Sequence, residues 1–208
     1  MFDAQRDPRA LVIGLTIHGL AVTRALARAG VHVDVIAQGS RWRNAAAFTR
    51  YARVHFSEGL NTPVLRDHLH EFAATAGDDR PIVLFPTSDR MAATIARSWT
   101  GLSGRYLLSW ADCRDLVVTL QDKANLPAIA ERAGVPHPRS TVVAGTTGAT
   151  AVPLAFPVVV KPTQPLSSFK ALRADGPADV AAIVQRYPGE LPFIVQELID
   201  GGADSLWA

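Results

Sequence analysis

Only one of the 208 residues is cysteine, Cys113, so no intrachain disulfide can form. A reducing compartment is the simple reading, and nothing flanking that thiol would activate it as a nucleophile. No apolar run approaches the ~20 residues that a membrane span requires. The polar N-terminus, MFDAQRDPRA, lacks the apolar core of a signal peptide. A soluble, cytoplasmic protein with no membrane partner is expected. Basic runs are missing as well: the formal net charge is +2 at a pI near 9.0, and no cluster reads as a nucleic-acid footprint.

Metal-ligand spacing is also missing. His68 and His70 stand two apart in an expected helix, point two ways and cannot share an ion. The chain lacks a GxGxxG turn: Gly14-Leu15-Thr16-Ile17-His18-Gly19 stands in its place, and no acid closes the next strand where a dinucleotide ribose would need one. Lysine is the last scarcity. Of 21 basic residues only Lys123, Lys161 and Lys170 are lysines. A coding bias toward arginine explains the scarcity but not the placement. Lysine is a compact, flexible point charge and arginine a rigid fork, so the two are not interchangeable at a phosphate.

What is present reads as α/β, with 48% apolar residues to build a core. Residues 10–15 and 31–37 are buried-strand runs around a helix at 19–29 that Gly30 caps. This is a β-α-β unit, hence a right-handed crossover in a parallel sheet. Further strands are expected at 54–57, 82–85 and 105–109, with helices at 63–76, 90–99 and 112–120. Ser88 suits an N-cap and Asp89 the positive helix end behind it. With His18 and Gly19 at the earlier turn, they fall where open parallel sheets receive ligands. Capping and tight-turn chemistry explain the same residues equally well. Residues 40–52 are irregular or weakly helical, and the charge of Arg41, Arg43, Arg50 and Arg53 reads as a solvated face.

Beyond residue 120 the pattern changes. Pro127 separates a short turn carrying Lys123 from a helix over 127–133 that Gly134 caps. Strands are expected at 140–144, 158–162, 169–173 and 193–199, with an irregular connection at 145–155 and a helix over 177–187. Their close spacing predicts a separate small lobe with an antiparallel sheet. FPVVVKP at 156–162 reads as a strand buried on both faces and stopped by Pro162. A cation at its end, Lys161, needs an anion or carboxylate to meet it. The strand it must face, FIVQELIDGG at 193–202, runs into Gln196-Glu197 and a glycine pair.

FPVVVKP, then SSFK at 167–170, then IVQELIDGGADS at 194–205 resemble the nucleotide-gripping small lobe of the ATP-grasp superfamily. Asp122-Lys123 and AGVPHP at 133–138 match the segment leading into it. Each motif is weak alone, but their order and spacing are specific. The superfamily includes carboxylate–amine ligases and carbamoyl phosphate synthases, and the resemblance reaches only their N-terminal portion. It implies a Rossmann-like pre-ATP-grasp α/β domain over 1–120. It further implies a small α+β lobe over 121–208 with the hinge and the first residues of the large lobe, and the C-terminal large lobe is expected to be absent.

The resemblance also implies ATP as cofactor. Lys123 and Lys161 would contact its phosphates, with Lys170 a further candidate, and Ser167 and Ser168 would lie in the loop covering them. Gln196, Glu197, Leu198 and Ile199 would meet adenine at the hinge, Glu197 and Ile199 through backbone groups, and Asp204 would take the ribose. His18, Gly19, Ser88 and Asp89 would face the acceptor substrate. No catalytic residue is assigned, and Mg²⁺ belongs with acids of the large lobe. Two functions stay open. One is the nucleotide-binding portion of an ATP-dependent ligase that activates a carboxylate as an acyl phosphate for attack by an amine. The other is a non-catalytic ATP/ADP-binding module or degenerate homologue. The 208 residues alone are expected to be inactive, and an unpaired strand edge with Trp207 to favour self-association.

Overall fold

A computed structural model describes residues 9–61, 63–77, 80–164, 168–199 and 201. The chain divides into two compact units, Met1–Val118 and Thr119–Ala208. In the first, β1 (Arg9–Ile13), β2 (Val33–Gln38), β3 (Arg53–Ser57), β4 (Ile82–Pro86) and β5 (Tyr106–Leu107) form one parallel sheet. Their order is β3-β2-β1-β4-β5, so the direction of winding reverses between β1 and β4. The crossovers carry α1 (Ile17–Arg28), α2 (Pro63–Thr75) and α3 (Asp89–Leu102).

The strands read as nearly continuous apolar runs because helices cover both faces. Leu11, Ile13, Ile36, Ile82 and Leu84 pack with side chains of α2 and α3. Ala10, Val12, Val33 and Val35 pack on the other side with Leu20, Leu26 and Ala27 of α1. The end of α1 is closed as Gly30 predicts. Gly30 adopts φ 83°, its N–H donates to Ala27 O at 3.0 Å and that of Val31 to Leu26 O at 3.1 Å. β5 is shorter than the run 105–109 suggests. Its Tyr106 is buried, and the phenol donates to Leu69 O of α2 at 2.7 Å.

Among the described residues one charge lies inside this unit. Asp34 is 1% exposed and accepts from Arg9 at 2.7 Å and pairs with His55 at 2.8 Å. Burial pushes its carboxyl up, but the hydrogen bonds from His55 and Arg9 outweigh that and hold it below the usual carboxylate range.

The helix α4 (Arg114–Gln121) and the turn Lys123–Asn125 lead to α5 (Leu126–Arg132), which Gly134 caps at φ 66°. The second unit then builds β6 (Ser140–Val143), α6 (Thr146–Ala149), β7 (Val158–Pro162), β8 (Leu172–Ala174), α7 (Pro177–Arg186) and β9 (Phe193–Glu197). Its four strands form a separate antiparallel sheet in the order β6-β9-β7-β8. Two local expectations are corrected. The connection at 145–155 contains the short helix α6, whose Ala149 is fully buried, and the strand expected at 169–173 is displaced to Leu172–Ala174.

A third correction matters more. β7 is not buried on both faces: Val158, Val160 and Pro162 are buried, whereas Val159 and Lys161 are half-buried. The buried set packs with Val143, Ala174, Phe193 and Val195 against α6 and α7. Helices α6 and α7 cover that side, so the residues of β7 alternate.

Candidate functional site

Residues opposite each other in an antiparallel ladder share a face. The register pairs Ser140 with Gln196, Val142 with Ile194, Val159 with Gln196 and with Arg173, and Lys161 with Ile194. The face turned away from α6 and α7 therefore carries Ser140, Val142, Val159, Lys161, Arg173, Ile194 and Gln196. Val142 is 46% exposed, and at one end Ile194 is buried beside the Lys123–Asn125 turn that packs on β9. The exposed Val142 and the half-buried Val159 thus lie on the same face as Lys161, among Ser140, Gln196 and Arg173.

Lys161 Nζ donates to Gln196 Oε1 at 2.9 Å. The partner is a neutral amide, not the anion or carboxylate that the buried strand led us to expect. Among the described residues Lys161 forms no ion pair. The carboxylate next along β9 is engaged elsewhere. Glu197 accepts from the backbone N–H of Arg139 at 2.8 Å and from its guanidinium at 3.0 Å. Those two bonds, the backbone one first, hold the Glu197 carboxyl below its ordinary range. The Glu197 backbone N–H donates to Arg139 O at 2.9 Å, while Leu198 is half-buried and Ile199 exposed just beyond the strand.

The Lys123 turn is latched to the end of β7. Lys123 N–H donates to Thr163 O at 2.9 Å. Asp122 caps the turn by accepting from Ala124 N–H at 3.0 Å, and its other oxygen accepts from Gln164 Nε2 at 2.8 Å. These bonds bring the backbones of Lys123 and Lys161 to one end of the sheet. Behind them, Phe169 packs its ring on Tyr187 at 4.7 Å and Phe193 at 5.6 Å, tying the loop to the core. Beside it, Ser168 donates through its backbone N–H, at 2.9 Å, and its hydroxyl to Glu190 Oε1. Lys170 is exposed and lies outside β8. Ser167 and Asp204 fall outside the described residues.

The remaining four candidates gather in the first unit, at the carboxyl ends of β1 and β4 where the winding reverses. Thr87 ties the two turns together by donating both its N–H, at 3.2 Å, and its hydroxyl, at 2.7 Å, to Ile13 O. Gly19 is buried, and a Cβ there would stand 2.0 Å from Gly14 O, so close packing alone demands glycine. His18 beside it is exposed, while Ser88 caps α3 by accepting from Met91 N–H at 3.4 Å, with Asp89 in the first turn.

Sequence reasoning missed the open-face residues Ser140, Val142 and Val159, and the braces Asp122, Thr163 and Arg139. Only the Asp-Lys pair at 122–123 carried a readable signal, since an aspartate ahead of a turn is a cap. Among the described residues no group of three His, Cys, Asp or Glu is placed to hold a metal. No helix among them is long and apolar enough to cross a membrane.

No protein-family model and no curated protein matches the sequence. Solved structures do match the fold. The ADP complex of N5-carboxyaminoimidazole ribonucleotide synthetase superposes with a TM-score of 0.72 at 16% identity, over 93% of this chain and 48% of that one. L-amino acid ligase from Bacillus licheniformis matches with a TM-score of 0.69 at 14% identity, over 94% and 45%. A RimK domain ATP-grasp protein from Sphaerobacter thermophilus gives 0.60 at 19% identity, over 94% and 65%. The chain thus has the fold of the N-terminal part of ATP-grasp proteins and spans about half the length of the first two.

Proposed function

We propose that the second unit grips ATP on its open sheet face, and that the chain is the nucleotide-binding N-terminal portion of an ATP-dependent ligase. The reaction class is activation of a carboxylate as an acyl phosphate for attack by an amine. One observation carries the reading: Lys161, near Val142 and Val159 on the open face, is met among the described residues by the neutral carbonyl of Gln196 and by no carboxylate. A phosphate oxygen offers that ammonium a stronger, charge-assisted bond than an amide does. Val142 and Val159 supply an apolar platform for adenine. The backbone beyond β9, at Glu197 and Ile199, reads its edge, and Leu198 packs beside it.

Lys123, positioned by Thr163, adds a second cation at the same sheet end. Ser167, Ser168 and Lys170 complete the phosphate loop, and Asp204 takes the ribose. Bound ATP, with Mg²⁺, supplies the phosphoryl group. What this chain's own residues do is bind, orient and neutralise charge. In the first unit His18, Gly19, Ser88 and Asp89 form the edge that receives the acceptor substrate, and the division of labour falls near residue 120.

Calorimetric titration with ADP and ATP, paired with amide hydrogen exchange, tests this. Nucleotide should protect amides at 158–164 and 193–199. Protection confined to 9–60, or no heat with either nucleotide, would overturn the reading.

A further inference from the structure

Charge is distributed very unevenly along this chain. From Arg9 to Ser57 there are seven arginines and one acid, Asp34, whereas the rest of the chain holds 18 acids against 14 bases. Asp34 is buried and already paired with Arg9 and His55, so it neutralises nothing at the surface. The fold then gathers this charge with aromatic rings. Trp42 is 87% exposed and Phe48 59% exposed, their rings meeting edge to face at 5.9 Å. Arg41 lies over Phe48 at 5.8 Å. Tyr51 is flanked by Arg50 at 5.4 Å and by Arg28, delivered from the end of α1, at 6.0 Å. Those two guanidiniums, Arg50 first, draw the Tyr51 phenol below its ordinary range.

Among the described residues none of Arg28, Arg41 and Arg50 forms an ion pair. Isolated exposed apolar residues are ordinary, but an exposed tryptophan and phenylalanine in contact, with Arg41 over the Phe48 ring and the Arg50–Tyr51–Arg28 group three residues along the chain, have the composition of a protein interface core. We propose that this face docks an acidic peptide segment of a partner protein, carboxylates on the arginines and one apolar side chain on Trp42. The Arg41 guanidinium, held over the Phe48 ring, keeps its N–H fork for a carboxylate, and Arg50 and Arg28, turned toward the Tyr51 phenol, add positive charge beside it. The same arrangement argues against stacked nucleic-acid bases, because cations already occupy faces of Phe48 and Tyr51.

The test is fluorescence anisotropy of the full chain with a short fluorescein-labelled peptide of alternating Glu and Leu. Its Gln-for-Glu twin, oligo(dT) and anionic vesicles are run alongside. The Glu peptide should bind and its Gln twin should not, with affinity falling as salt rises. The double variant R41E/R50E should weaken binding about tenfold or more, and Trp42→Ser by several fold. Arg97→Glu, exposed on α3, which packs in the core opposite the one holding Ala46 and Ala47, should change nothing. All these changes are at the surface, so unchanged circular dichroism serves as the folding control. Four results would each overturn the proposal: no binding of the Glu peptide, unaltered binding by R41E/R50E, tighter binding of oligo(dT) or vesicles, or a dimer that R41E/R50E dissolves. The third would assign the face to nucleic acid or membrane and the fourth to a second copy of the chain.

Discussion

Replacing Lys161 by methionine keeps the apolar stem on the open face and removes only the ammonium. In the nucleotide-free chain that ammonium bonds Gln196 Oε1 at 2.9 Å, and a phosphate must compete with this contact. A charge-assisted bond to phosphate contributes roughly 1.5–3 kcal/mol. Part of that is offset by giving up the amide, leaving a net contribution of about 1–2 kcal/mol, or about five- to thirtyfold in Kd. Calorimetry with ADP at two salt concentrations reads it directly, and the difference between wild type and Lys161→Met should narrow as salt rises. Gln196→Ala supplies the opposite control. It frees the lysine from its amide partner, so its effect on ADP affinity should stay well short of that of Lys161→Met. Losing one half-exposed hydrogen bond costs about 1 kcal/mol of stability at most, so both variants should fold. Equal ADP affinity in wild type and Lys161→Met would remove the lysine from the site and with it the main support for the nucleotide reading.

Three further outcomes test the scaffold. Gly19→Ala should cost about 1–3 kcal/mol by urea denaturation, since its Cβ would be forced to within 2.0 Å of Gly14 O; a neutral result would mean the turn relaxes freely. Asp34→Ala should destabilise by about 3–5 kcal/mol, because it strands Arg9 and His55 without their shared carboxylate. The folded state lowers the Asp34 pKa. Its contribution is therefore fully present above the unfolded carboxyl value of about 3.9 and is lost as pH falls through the folded one. Between pH 5 and 2 the urea midpoint of wild type should fall toward that of Asp34→Ala, and parallel curves would sink the linkage. Tyr106→Phe should cost about 1 kcal/mol through the lost bond to Leu69 O, and more than about 3 kcal/mol would point to a packing change instead.

The division into a parallel and an antiparallel sheet was legible because its signals are local. Buried runs such as 10–15 and 31–37, Gly30 and Gly134 at helix ends, and Ser88 at a helix start each act through their own backbone, so nearby residues suffice to read them. Pro127 marked the separate Lys123 turn for the same reason. Lys161, Gln196 and the glycine-bounded strand after them also stood out, since a charged or amide group at the end of an apolar run needs a partner wherever the chain folds. What could not be read was parity. Val158, Val159 and Val160 are chemically alike, and nothing in a run of three valines says which one faces a helix and which faces a ligand. The answer depends on the pairing of β7 with β9, contacts some 35 residues apart that set Val159 and Lys161 on the open face. The partners of the charges were hidden likewise. Lys161 finds Gln196, Glu197 turns to Arg139, and Arg28 reaches Tyr51 only when separate segments are brought together. Local sequence determined the elements; long-range register decided what each charged group meets.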